Sequence, residues 1–336
     1  MGQRANLVIV QNGKYELYYS HWHANTLPDD LFWGPEHAAA FIAMQQRREA
    51  DGWLDDVWAE GGAVMDLDTR TLLLYGGEDL CYDLPLRRVY MELLRYTWPG
   101  WTLRWAYGGI ADMAAYVGYP VQAVLNSKER GTEIPDFRPP EQQNWIDLIG
   151  SIRYADGQIK LFPMEARIGD VLDAGPAVLG GADPLIGADR FAPAEAMETF
   201  PTAGFHLDVP QRRLDYWHAD DLPGGLDRFR QAWAGWEIAD HQGEYEVQLR
   251  LAEGRLELPA LKQEVLLEKL EESLVKTPSS NPADSIRFLT ERLAKDGKDV
   301  QVNPNALRYD QKELTEETKR AIWEDALGRY LRGSAQ

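Results

Sequence analysis

The sequence is poor in cysteine, poor in lysine over most of its length, and without a long apolar run. Cys81 is the only cysteine in 336 residues. That excludes an intramolecular disulfide and a Cys-based zinc site, and it points to a reducing cytoplasm. No apolar stretch approaches the roughly 20 residues that span a bilayer. Ala38–Met44 is among the longest, and the four residues Leu7–Val10 make no signal peptide. Asn6 stands where a myristoylation signal would carry Ser or Thr. Positive charge is also scarce: 35 Lys and Arg face 54 Asp and Glu, a net charge of -19. Such a surface repels phosphate, so neither nucleic acid nor a membrane is expected as a partner. The catalytic fingerprints are missing too. Gly61-Gly62, Gly76-Gly77 and Gly180-Gly181 match no phosphate-binding loop, and there is no Gly-x-Ser-x-Gly elbow. No cofactor is expected.

The composition that remains is globular, with 44% hydrophobic and 26% charged residues. It changes near residue 259. Only Lys14, Lys128 and Lys160 precede that point and seven lysines follow it, whereas eleven of the twelve tryptophans precede it. Residues 1–258 carry 22 basic and 40 acidic side chains, a net of -18, and residues 259–336 carry 13 and 14, a net of -1. The acidity belongs to the Trp-rich body. In the tail, the apolar spacing of Leu261, Val265, Leu266, Leu270, Leu274 and Val275 predicts a helix. Lys276–Pro282 reads as a flexible joint. A second helix is expected over about Asp284–Lys295, capped by Ser280, Asn281 or Asp284 and closed by Gly297. A third starts near Thr315.

An internal repeat is the most informative pattern in the body. Trp22-His23-Ala24 precedes Leu27-Pro28-Asp29-Asp30-Leu31, and Trp217-His218-Ala219 precedes Leu222-Pro223-Gly224-Gly225-Leu226. Between them, Leu73-Leu74-Tyr75 precedes Leu84-Pro85-Leu86. Each Leu-Pro opens an apolar-periodic segment that ends in Gly-Trp: Gly52-Trp53, Gly100-Trp101 and Gly235-Trp236. One unit therefore reads as a hairpin, such as Leu7–Val10, Asn12-Gly13 and Tyr15–Tyr19, then a helix begun by proline and stopped by a left-handed glycine. A weaker copy spans Ser151–Leu179, with Pro163 opening its helix. The expected fold is α+β: repeated β-β-α units forming largely antiparallel sheets covered by helices, plus a C-terminal helical appendage. The expected divisions are a first half over 1–134, a second, pseudo-repeated half over 145–258, and the helical region 259–336. Glu129–Asn144 is an expected joint, and Gly180–Pro201 is read as a long loop or a second joint. Whether the units share one sheet or form two is left open.

Three functional classes fit. The first is a binding protein for a basic protein partner, with acids raising the association rate and aromatics anchoring the contact. Trp22, Asp29, Asp30, Asp79, Trp217, Asp220 and Asp221, near the Leu-Pro junctions, are the candidate contact residues. In general character the chain resembles the cytoplasmic immunity proteins that bacteria pair with their own secreted toxins, and that resemblance implies inhibition by direct binding. The opening Arg4–Val10 with Leu17–Trp22 is also similar to the start of uncharacterised bacterial proteins. The second class is a hydrolase or nucleotide-processing enzyme using paired carboxylates with His23 or His218. The third is a scaffold that assembles, with itself or another protein, through the tail helices. His21 and His23 would share one side of a strand, but no spaced zinc pattern accompanies them and no metal site is expected. Cys81 is read as a small buried residue.

Overall fold

A computed structural model describes residues 3–126, 134–194, 199–276, 281–298 and 300–333. The chain divides into two compact units. Unit 1 comprises Met1–Leu80, Leu86–Asn126 and Lys262–Gln336, and unit 2 comprises Cys81–Pro85 and Ser127–Leu261. The fold is α+β, and each unit has its own sheet. Residues 262–336, which composition sets apart, cluster with unit 1.

In the order of the chain, β1 (Ala5–Gln11) and β2 (Lys14–Ser20) form a hairpin, followed by α1 (Leu27–Leu31), α2 (Pro35–Met44) and the short β3 (Gln46–Arg48). A second hairpin, β4 (Gly61–Asp66) and β5 (Thr71–Tyr75), leads to α3 (Glu78–Tyr82), α4 (Leu84–Thr97), β6 (Thr102–Trp105) and α5 (Ile110–Tyr116). The next hairpin is β7 (Leu148–Arg153) and β8 (Ile159–Met164), followed by α6 (Ile168–Ala174). The last is β9 (Ala203–Asp208) and β10 (Arg213–His218), followed by α7 (Gly225–Phe229), β11 (Glu237–Asp240) and α8 (Glu246–Leu251). The tail adds α9 (Gln263–Glu271), α10 (Pro282–Lys295) and α11 (Glu316–Gly333).

Strand order is β3-β2-β1-β4-β5-β6 in the first sheet and β11-β10-β9-β7-β8 in the second. Within each hairpin the strands are antiparallel. The first strands of the two hairpins pair in parallel, β1 with β4 and β7 with β9. The strand after the second hairpin's helix also joins in parallel, β6 on β5 and β11 on β10. Thus β2-β1-β4-β5-β6 and β8-β7-β9-β10-β11 have the same connectivity and polarity, and β3, antiparallel to β2, is an addition to the first.

Local chemistry explains most elements. Asn12 and Gly13 take φ of 54° and 68°, the left-handed pair that a two-residue hairpin requires. Gly100 and Gly235, with φ of 78° and 81°, end the segments before β6 and β11. Gly52 does not adopt that conformation, and it follows β3 instead of ending a helix. Pro163 also differs from expectation: it lies inside β8, where an edge strand tolerates the missing N–H. In the tail, Asn281 caps α10 through Ala283 N and Thr315 Oγ1 accepts from Thr318 N at the start of α11. Gly297 closes α10 with φ 74°. The breaker at 277–280, including Ser280, lies outside the described residues, as do 129–133 and 195–198 of the expected joints.

Each core is locked by an indole used the same way. Trp98 Nε1 donates to Leu31 O at 2.9 Å, tying the end of α4 to α1. Trp233 Nε1 donates to Leu172 O at 2.9 Å, tying the turn after α7 to α6. Each ring then meets a second Trp three residues on, edge to face: Trp98–Trp101 at 4.9 Å and Trp233–Trp236 at 5.3 Å. Replacing Trp98 or Trp233 by Phe removes volume and orphans a buried carbonyl. Each change is expected to lower the unfolding free energy by about 2–3 kcal/mol in a denaturant titration.

Candidate functional site

The residues nominated by sequence lie at two places, one in each unit, where the second strand of a hairpin gives way to the segment holding Leu-Pro. In unit 1 that junction is covered by the tail. Trp22 is buried and its Nε1 donates to Ala306 O at 3.1 Å. His23 is 1% exposed; its ring stacks on Tyr309 at 4.5 Å and its Nδ1 meets Ser20 Oγ at 2.7 Å. Gln45 donates to Asp310 O, Arg308 to Met44 O, and Trp323 packs against Phe32. The tail is therefore structural lining for the first module.

Asp29 and Asp30 occupy the first turn of α1. A carboxylate suits a helix N-terminus, but α1 has only five residues and these side chains face inward. Asp30 is 4% exposed and accepts from Thr26 Oγ1 at 3.4 Å. Burial, then the charge of Asp29, raises its pKa well above the usual carboxylate value, against the pull of Thr26, Lys319 and Gln311. Half-buried Asp29 accepts from Ser273 Oγ at 3.2 Å. Burial pushes its pKa up to about 7, the charge of Asp79 adds to the rise, and Ser273 and Lys319 oppose it. Asp79 itself is exposed on the first turn of α3. Burial lowers His23 to about 4, and burial with the charges of Lys312 and Lys319 lowers His37 to about 4. The junction thus favours a protonated Asp30 and neutral His23 and His37, with Asp29 shifted toward its protonated form.

In unit 2 Trp217 is fully buried and donates to Gln248 Oε1 at 2.7 Å. Gln248 Nε2 in turn donates to Ile149 O and Phe205 O at 2.8 and 2.6 Å. One side chain from α8 thereby satisfies backbone groups on β7 and β9. Gly204 is required there, because a Cβ would lie 2.1 Å from Gln248 Oε1. His218 is 1% exposed, with Nδ1 2.5 Å from Asp220 O and Nε2 3.3 Å from Asp240. His241 Nε2 lies 2.7 Å from Asp215, which Arg213 also grips. Asp220 and Asp221 are half-buried beside this junction.

Trp22 and Trp217 are core residues, so neither indole is presented to a partner. His23 follows the first hairpin of unit 1 and His218 ends the second hairpin of unit 2, so they are not equivalent positions of the shared strand order; both are enclosed. Among the described residues no group of three or more His, Cys, Asp or Glu could hold a metal ion, and no helix is long and apolar enough to cross a membrane. Cys81 is half-buried. A shallow cleft beside His21, Gln45, Asn305, Arg308 and Asp310 in unit 1 encloses about 10 Å³, room for no more than one water molecule. The exposed aromatics lie elsewhere: Trp58, Tyr82, Trp145 and Phe288. Trp58 could have been found by its setting, the one indole inside the loop Asp55-Asp56-Val57-Trp58-Ala59-Glu60. No protein-family model, curated protein or solved structure matches the chain.

The buried acids and histidines set opposite pH slopes. Asp29 and Asp30 bind protons in the fold that the unfolded chain releases above pH about 4, so they cost stability as pH rises to about 7 and beyond. His23 and His37 exclude protons that the unfolded chain takes up below about 6.5, so they add stability as pH rises from about 4. Asp30→Asn removes one acid slope. Its unfolding midpoint should match wild type near pH 4 and exceed it increasingly toward pH 8, by about 2 °C or more in a thermal scan.

Proposed function

We propose that the protein acts by binding a basic protein partner, as an inhibitor of the immunity class, in the cytoplasm. The observation that carries this reading is where the polar chemistry resides. The histidines that an enzyme reading would use, His23 and His218, are packed into the two cores, while the chain, with a formal net charge of -19, exposes several aromatic side chains. Acids around an aromatic anchor suit a cationic protein surface, and long-range attraction speeds its capture. The lone cysteine is in keeping with a reducing compartment. We further infer that the two units arose as copies of one ββαββα module, since their strands follow one another with the same polarity and both carry Trp-x-Gly-Trp before the last strand.

Affinity capture of the tagged full-length chain from cells that express it natively tests this reading. The expected result is a single stoichiometric basic protein whose affinity falls at least tenfold between about 50 and 300 mM salt. Recovery of the chain alone from cells producing candidate partners, or a partner insensitive to salt, would overturn it.

A further inference from the structure

We propose that residues 49–60 of unit 1 form the docking surface for an arginine- or lysine-rich segment of a basic protein, with Trp58 as its anchor; this rests on the binding reading above and gives it a location. Of the twelve tryptophans, only Trp58 and Trp145 are exposed. Trp58 is 52% exposed and its neighbour Val57 53%. Two adjacent large apolar side chains left in water are a cost to the free protein unless something covers them.

The loop is built to hold them there. Asp55 Oδ1 accepts from Val57 N and Trp58 N at 3.0 and 3.2 Å. Asp56 N donates to Val124 O, and Asp56 Oδ1 accepts from Asn126 N. Asn6 Oδ1, from the central strand β1, accepts from Leu54 N at 2.8 Å. Glu60 N donates to Arg4 O, and Glu60 Oε2 accepts from Arg4 N. An anchor fixed in this way loses little conformational entropy on binding.

Charge selects the occupant. Residues 49–60 contain Glu49, Asp51, Asp55, Asp56 and Glu60 and no Lys, Arg or His, and the neighbouring cations are already engaged: Arg4 on the Trp58 ring, Arg47 with Glu16 and Arg48 over Tyr19. Glu49, Asp51 and Glu60 are exposed. The ring already shows what it accepts: the Arg4 guanidinium carbon lies 4.4 Å from the Trp58 centroid, a cation–π geometry. A second guanidinium or ammonium approaching the exposed part of the indole would meet the same electron-rich surface amid carboxylates. The exposed Phe288 and Leu289 differ in this respect, because the two acids Asp284 and Glu291 of α10 are balanced along the same helix by Arg287 and Arg292.

The probe is a fluorescein-labelled nona-arginine peptide, titrated into the full chain at about 50 mM salt. Trp58→Ala and the double variant Glu49→Lys/Asp51→Lys are each expected to weaken binding about tenfold, the loss typical of an interface anchor. The controls Trp145→Ala and Glu141→Lys/Glu324→Lys, which match them in ring loss and in charge, should stay within about twofold. Thermal midpoints of all four should remain near wild type, since these side chains are exposed. Equal weakening by loop and control variants would overturn the docking site and leave the basic-partner reading standing. Failure of the wild-type protein to bind the peptide at all would overturn both.

Discussion

The architecture depends on the parallel pairing of the first strands of two hairpins, β1 with β4 and β7 with β9. A hairpin returns the chain to the end of the sheet where it began, so a second hairpin can start there without crossing the sheet. The last strand is different. To lie parallel to its predecessor the chain must travel back along the sheet, and parallel neighbours demand a crossover segment. Between β5 and β6, α3 and α4 make that return, and between β10 and β11, α7 and the turn after it do so. The buried indoles Trp98 and Trp233 stand at the end of each return, where the helix must be fixed before the chain re-enters the sheet.

That arrangement also explains the electrostatics. The end of the sheet from which the helices depart collects polar side chains: His23, Asp29 and Asp30 in unit 1, His218, Asp220 and Asp221 in unit 2. Two solutions appear. Unit 2 pairs its groups, with His218 against Asp240 and His241 with Arg213 against Asp215. Burial pushes Asp240 and Asp215 up, but these partners bring both below the usual carboxylate value. Unit 1 covers its groups with the tail and shifts each toward its uncharged form, because an isolated buried charge costs more than a held proton.

Much of the fold was legible because its signals are local. Asn12-Gly13, the Leu-Pro junctions, Gly100-Trp101, Gly235-Trp236 and the caps of α10 and α11 each depend on a few neighbouring residues. Gly52-Trp53 and Pro163 show the limit: the same residue types serve β3 and an edge strand when the sheet requires it. The membership of the tail in unit 1 was not legible, since it rests on contacts as distant as Trp22 with Ala306 and Gln45 with Asp310. The surroundings of the candidate contact residues were only partly legible for a related reason. Asp29 and Trp22 sit in a polar, aromatic-rich stretch that looks exposed, and only a segment some 280 residues later covers Trp22. Asp55 and Asp56 were visible as a pair of acids. That Asp55 holds the backbone of Val57 and Trp58 while Asp56 ties the loop to Val124 and Asn126 needed the backbone geometry of the turn.

The division of the chain between units has a further effect on the order of assembly. Apart from Cys81–Pro85, unit 2 is one continuous stretch ending at Leu261, whereas unit 1 is closed by residues 262–336. A ribosome delivers residues from the N-terminus at a finite rate, and a domain can complete only when its last element has emerged. The first sheet therefore exists for a time with Trp22, His23 and Phe32 uncovered, while the second unit already has nearly all of its chain. The half that is synthesised first is the half that is finished last, and its apolar surface is the one left uncovered longest during synthesis.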